Sequence, residues 1–266
     1  MCSSDLTGID FNNPLPLHFD WLAVWVKPFG LAAGSVLGAA SLNIAAVLLA
    51  IRQGWLAAGR RGEALMAMVM TCLSLTLGSE MLTDVWQPHN LVLPFAAFVA
   101  CCVSVAAGRF GSLPWAVGVG SFVMGTHLSF TYVVLGGLAS AIAAGWWHRR
   151  QAASVTEQAD DVAGVASLPI RRSLLWALLV GVLAWSQALI EQVTSSGQGN
   201  LSRLLDSQRA GTSPIGARLA VRLFAQVVAM PPWWLRGSFT GSVPNTPYSA
   251  GHQLRPAGVV GVVPAV

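Results

Sequence analysis

The chain has 266 residues, 54% of them hydrophobic and 10% charged, where soluble domains carry about 25% charged residues. That balance excludes an ordinary water-soluble domain and describes one membrane-embedded unit. The net charge of +4 calls for no nucleic-acid partner, because eight of the fifteen basic side chains lie in short connections where arginine sets orientation in a bilayer.

Taken in chain order, the first six residues, MCSSDL, are neither a basic nor an apolar leader region. They match the in-frame translation of a sequencing-adapter end and are read as non-native. The expectation is a fragment that lacks a first span and the loop after it; the alternative is an intact chain inserted in an inverted or tail-type way. Asn13-Pro14-Leu15-Pro16 opens an extended or turn segment, since each proline disfavours helix in the residue before it. Residues 18–29 (HFDWLAVWVKPF) come after it, with Trp21 and Trp25 one turn apart and Lys27 near the end, the pattern of an interfacial helix leading into a span.

Six apolar, nearly uncharged segments come next: 31–51, 65–82, 91–107, 113–126, 128–147 and 174–190. The first is about the 20 residues a helix needs to cross a bilayer core. Gly34, Gly38 and Ser41 in it are small residues that let membrane helices approach closely. The fourth is short for a lipid-facing span and is followed at once by His127, which predicts a tight hairpin. Residues 151–169, with Glu157, Asp160 and Asp161, read as a polar loop. Beyond 190 the character changes. NLSRLL at 200–205 is a short amphipathic piece, 217–230 (ARLAVRLFAQVVAM) has the pattern of a helix lying in the interface, Pro231 to Trp234 anchor it at the surface, and 237–266 is rich in Gly, Pro and Ser.

The fold class is therefore all-α: a polytopic transmembrane bundle of about six spans with outer interfacial helices. It divides into an outer segment 1–30, a bundle 31–190, and an outer interfacial helix and tail 191–266. Arg52, Arg60, Arg61, Arg109, Arg149, Arg150, Arg171 and Arg172 follow the first, third and fifth segments, whereas 83–90 has no Lys or Arg. This asymmetry places the arginine loops in the cytoplasm and the distinctive polar residues at or near the outer face. Cys72, Cys101 and Cys102 lie in apolar segments as small hydrophobes, and no disulfide framework or metal-binding CxxC occurs.

Three polar groups are candidates for chemistry. Glu80, Asp84, Trp86, His89 and Asn90 crowd one helix end and turn (GSEMLTDVWQPHN). If helix continues that far, Glu80 and Asp84 share a face, and two carboxylates there repel unless a proton, a cation or a hydroxyl-rich ligand lies between them. The functional reading is binding of a sugar, of a divalent cation bridging a phosphate, or of both. The structural reading is that Asp84 caps the turn and a neighbouring helix satisfies Glu80. His127, with Thr126 and Ser129, is a donor to a phosphate or sugar oxygen, or else a satisfied helix-end residue; no metal-ligand spacing surrounds it. Gln187, Glu191, Gln192, Asn200 and Arg203 form the third group, with Arg203 either a phosphate fork or the partner of Glu191. Glycine-rich nucleotide loops, HExxH and GxSxG are absent.

The succession NNPLPLHFDWLA, GSEMLTDVWQPHNLVLPF, GSLPWAVGVGSFVMGTHLSF, WSQALIEQ, GNLSRLL and AMPPWWLR, over roughly 12–239, resembles the central part of actinobacterial membrane proteins of the C-type glycosyltransferase superfamily. The resemblance implies a multi-pass enzyme of the bacterial plasma membrane. Such an enzyme passes a sugar from a polyprenyl-phosphate donor to a cell-envelope glycan or lipid acceptor on the outer face. Glu80, Asp84, Trp86, His89, His127, Gln187, Glu191 and Arg203 would then serve donor or substrate binding. The family's catalytic base sits in a first outer loop that would fall upstream of Thr7, so this chain is expected to be inactive alone. Where relatives often read H-P-G-P, this chain has Asn13-Pro14-Leu15-Pro16, and Asp20 is the nearest outer carboxylate. A non-catalytic membrane scaffold is the main rival. A transporter or lipid flippase would show an inverted repeat and charged, broken helices at the midplane, which the sequence lacks.

Overall fold

The computed structural model describes residues 13–155, 170–195, 197, 199–209, 216–217 and 221. The adapter-like residues 1–6, most of the loop expected to 169, nearly all of the helix expected at 217–230 and the tail lie outside the described residues. The chain divides into two units, 1–207 and 208–266. In the second, Gly216, Ala217 and Val221 are helical. The membrane bundle belongs to the first.

Every regular element among the described residues is helical. The helices are α1 (Leu17–Thr83), α2 (Gln87–Asn90), α3 (Val92–Ala106), α4 (Leu113–Thr126), α5 (Thr131–Val155), α6 (Ile170–Thr194) and α7 (Asn200–Arg209). Four helical stretches are long and apolar enough to cross a membrane: α1, α2 with α3, α5 with its preceding turn, and α6. The difference from the six expected segments lies in α1 and α4. At 14 residues α4 measures about 21 Å, less than a bilayer core. The 67 residues of α1 hold both the first and the second expected spans, separated only by non-helical torsions at Ala58 and Gly59.

The arginine-bearing connection expected between the segments 31–51 and 65–82 is thus a two-residue turn. Apolar runs end where a membrane ends, while the helices continue past that edge to Arg60 and Arg61. The turn is tight because its flanks are glycine: a Cβ on Gly54 would stand 2.6 Å from the Gly62 carbonyl oxygen. Ala46 and Ala50 from the first pass meet Met70 from the second, and both pack on Leu93, Ala97 and Ala100 of α3.

Two further breaks in α1 share one conformation, Gly30 (φ 77, ψ 171) and Gly78 (φ 72, ψ 170). Positive φ is open to glycine at little cost. At Gly30 the helical run 17–29 folds back on the first span, so the expected interfacial helix docks along it. Trp21 Nε1 donates to the Gly38 carbonyl at 3.0 Å, and a Cβ on Gly34 would lie 2.5 Å from Val26 Cα. After Gly78 the last turn reaches back to Asn43, whose Nδ2 donates to the Leu82 carbonyl at 2.8 Å.

Helix α3 is the centre of the bundle, touching α1, α4 and α5, while α4 is pressed between α3 and α6. Small residues make this possible. Phe98 of α3 is 1% exposed and fits between Gly120 of α4 and Gly137 of α5, where added Cβ atoms would come within 3.0 and 3.2 Å of its ring. Gly118 faces Val180 of α6 in the same manner, at 3.1 Å. Close packing of this kind substitutes for the hydrophobic effect, which does not draw helices together inside lipid. It also accounts for so short an α4: protein, rather than lipid, covers it.

The arginine end of the bundle is closed by a further apolar cluster, Val105, Phe110, Leu113, Ala141 and Ala177. Arg149 lies over the Phe110 ring at 5.5 Å and Arg150 over Trp146 at 5.3 Å, cation–π contacts that fix the end of α5. The opposite end, where α1 passes into α2 and α4 into α5, holds the candidate residues and forms the polar end of the bundle.

Candidate functional site at the polar end

Asp84 stands just past the end of α1, in extended conformation. Its Oδ1 accepts the Trp86 backbone N–H at 3.0 Å, an Asx turn that starts α2. Its Oδ2 accepts His89 Nδ1–H at 2.6 Å, and the Trp86 indole meets the His89 ring edge-on at 4.5 Å between centroids. The Trp86 N–H first, and then the His89 hydrogen bond, hold the Asp84 carboxyl below the usual carboxylate range. Asp84, Trp86 and His89 thus come together as expected, but as a closed turn whose polar atoms answer one another. Glu80 does not join them. It sits two residues after the Gly78 break and is exposed. With the helix ending at Thr83, the shared face expected for Glu80 and Asp84 does not form.

His127 is the extended residue that ends α4, half-buried, with its ring edge-on to Phe130 at 6.2 Å. The expected hairpin is present: a single 3-10 turn, Leu128–Phe130, separates α4 from α5. Thr126 turns its hydroxyl inward to the Phe122 carbonyl at 2.7 Å, and Ser129 is exposed. His127 Nδ1 and Thr131 Oγ1 are buried without a hydrogen-bond partner among the described residues.

The third group also closes locally. Both oxygens of Glu191 accept the Asn200 backbone N–H at 3.1 Å, and Oε1 accepts the Ser195 hydroxyl at 3.0 Å. A carboxylate at a helix start satisfies orphan donors and complements the dipole, so Glu191 caps α7. Gln192 donates to the Ser202 hydroxyl at 2.5 Å, Arg203 is exposed on α7, and Gln187 is exposed one turn before Glu191.

Two constellations have no signature in the sequence. His18 and Asn90, 1% and 0% exposed, touch through His18 Nε2 and Asn90 Nδ2 at 3.0 Å across 72 residues of sequence. No spacing rule joins positions so far apart; the one signal is a histidine among aromatics at the start of the helix expected to be interfacial. Directly before it, residues 13–16 form a strap. Leu15 N–H donates to the Gly125 carbonyl at 2.9 Å, the Leu15 side chain fills the space beside Gly125, and Asn200 Nδ2 donates to the Asn13 carbonyl at 2.9 Å. At the arginine end, the Ser112 hydroxyl donates to Gln53 Oε1 at 2.6 Å and shares a hydrogen bond with Ser104 at 2.9 Å, all fully or nearly fully buried.

Among the described residues no group of three His, Cys, Asp or Glu side chains converges as a metal site, and both Asp84 oxygens are already engaged. The residues at hand therefore do not fit the divalent cation considered for Glu80 and Asp84. A groove of about 500 Å³ lined by Arg172, Leu175, Trp176 and Leu179 lies on α6 near the arginine end, far along the helix from Glu191. Comparison with protein-family models, curated proteins and solved structures gives no match to this chain.

Proposed function

We propose that this chain is the donor-binding membrane part of a glycosyltransferase that uses a polyprenyl-phosphate sugar, with its polar end on the outer face of a bacterial plasma membrane. One observation carries the reading. Of the eight buried side-chain polar atoms without a partner among the described residues, five belong to the polar end: His18 Nδ1, Asn90 Oδ1, His127 Nδ1, Thr131 Oγ1 and Gln192 Oε1. Leaving such an atom unpaired costs about 1–3 kcal/mol, so a concentration of them marks a place that accepts water or a polar ligand. Apolar packing covers most of the remaining bundle, and the arginine asymmetry favours this end being outside. None of the described residues is assigned as the catalytic base.

A second reading, a non-catalytic scaffold, is favoured by the carboxylates. Asp84 and Glu191 are committed to capping, which is structural work. A binding measurement separates the two. The full chain in lipid nanodiscs should bind a radiolabelled polyprenyl-phosphate sugar saturably, with displacement by unlabelled polyprenyl phosphate and none by phosphatidylglycerol. Absence of saturable binding would leave the scaffold reading in possession.

A further inference from the structure

We propose that His18 and Asn90 are a recognition pair for a neutral, hydroxyl-bearing group; the identification of that group as the donor's sugar ring rests on the glycosyltransferase function already proposed. The ground is hydrogen-bond capacity. With Asn90 Nδ2 donating to His18 Nε2, the imidazole proton sits on Nδ1, so the pair presents one unpaired donor, His18 Nδ1–H, and one unpaired acceptor, Asn90 Oδ1. If the amide is turned over, Oδ1 accepts from Nε2–H, and the unpaired atoms become an acceptor at Nδ1 and a donor at Nδ2. Either way the two wholly unpaired atoms are one donor and one acceptor. Because Nδ1 points away from the amide that Nε2 meets, two separate hydroxyls of one ligand, rather than a single one, supply the complement of both; a phosphate oxygen or a metal ion does not.

The surroundings favour the same chemistry. The nearest candidate carboxylate in sequence to Asn90, Asp84, has both oxygens occupied by Trp86 and His89, and among the described residues no ion pair involves His18. The Phe122 and Phe19 rings stand edge-on to the His18 ring at 6.2 and 5.7 Å, giving apolar walls of the kind the C–H face of a sugar meets. His127 Nδ1 and Thr131 Oγ1 repeat the motif of an unpaired ring nitrogen and an unpaired oxygen on the α4–α5 hairpin, whose Thr126 is hydrogen-bonded to Phe122. His18 and Asn90 are closed from solvent, and the strap that leads into His18 is tied by the Leu15–Gly125 and Asn13–Asn200 hydrogen bonds. Entry of a ligand therefore requires the packing around the pair to open.

The test uses the full chain in nanodiscs and two ligands, a polyprenyl-phosphate sugar and the bare polyprenyl phosphate, with His18→Phe and Asn90→Leu as variants of similar volume. Wild type should bind the sugar-bearing lipid about tenfold more tightly, and each variant should lose that preference while keeping its affinity for the bare lipid. Thermal stability is measured on the same samples. Variants that keep the preference and only melt earlier would show a structural pair and overturn the proposal. Equal wild-type affinity for the two lipids would overturn it too, while leaving the lipid-binding function standing. Binding of neither lipid would remove the proposed function and this inference with it.

Discussion

Replacing Gly125 by alanine tests the docking of the strap in a single atom. An added Cβ would stand 2.6 Å from Leu15 Cβ and closer still to the end of that side chain, while the Leu15 N–H is held at 2.9 Å by the Gly125 carbonyl. The backbone contact prevents Leu15 from simply sliding away, so the clash must be relieved by displacing a residue that is 1% exposed. Overpacking of this kind costs about 1–3 kcal/mol. Leu15→Ala alone empties the same space and costs about 2–5 kcal/mol. In the double variant the alanine at position 15 keeps its Cβ 2.6 Å away but loses the two nearer atoms, so the clash is partly relieved and the combined loss should fall about 0.5–1 kcal/mol short of the sum, as expected for side chains in contact. Equilibrium unfolding of the four proteins in mixed micelles measures the cycle. A Gly125→Ala protein within about 0.5 kcal/mol of wild type, or strict additivity, would refute the close approach.

Ser112→Ala should destabilise by about 1–3 kcal/mol in the same assay, because it leaves Gln53 Oε1 and the Ser104 hydroxyl buried without their partner. Asp84, with its folded-state carboxyl held below the usual range, contributes stability that is fully present above the unfolded value and lost as pH falls through the folded one; melting temperature should decline below about pH 4, and Asp84→Asn should flatten that acid limb. Glu191→Ala should raise amide exchange at Asn200 by removing the cap of α7, a loss of about 0.5–2 kcal/mol confined to that helix start. In a background without native cysteines, an impermeant maleimide should label a cysteine at position 87 in intact cells and spare one at 155; the reverse pattern would invert the proposed orientation.

The all-helical bundle was legible because an uncharged apolar run of membrane length can satisfy its backbone in lipid only by coiling into a helix, strands of a barrel being half as long and alternating. The brevity of α4 and the tight hairpin at His127 were legible too, from the count of residues between segments. What hydropathy does not encode is where a helix bends or folds back. Gly30 and Gly78 look like any small residue in a membrane segment, and only their torsions reveal the reversals that put Trp21 on Gly38 and Leu82 on Asn43. The candidate residues were found as a neighbourhood, and Asp84, Trp86 and His89 do meet. Asp84 caps the turn into α2, the structural one of the two readings the sequence offered, while Glu80 stands apart beyond the Gly78 break. His18 with Asn90, and Gln53 with Ser112, are tertiary pairs across 72 and 59 residues, beyond the reach of any local pattern.

The strap also sets a schedule for assembly. Its residues leave the ribosome before every partner that holds them: Asn90 follows His18 by 72 residues, and Asn200 follows Asn13 by 187. At about 5–20 residues per second, His18 waits some 4–14 s for its amide and Asn13 some 10–40 s for the helix that fastens it. Leu15 has no groove to fill until Gly125, 110 residues further on, has been made. The strap is thus made before each of its partners and secured only as the later of them arrives, and a chain stalled before α7 emerges carries it without the Asn200 tie.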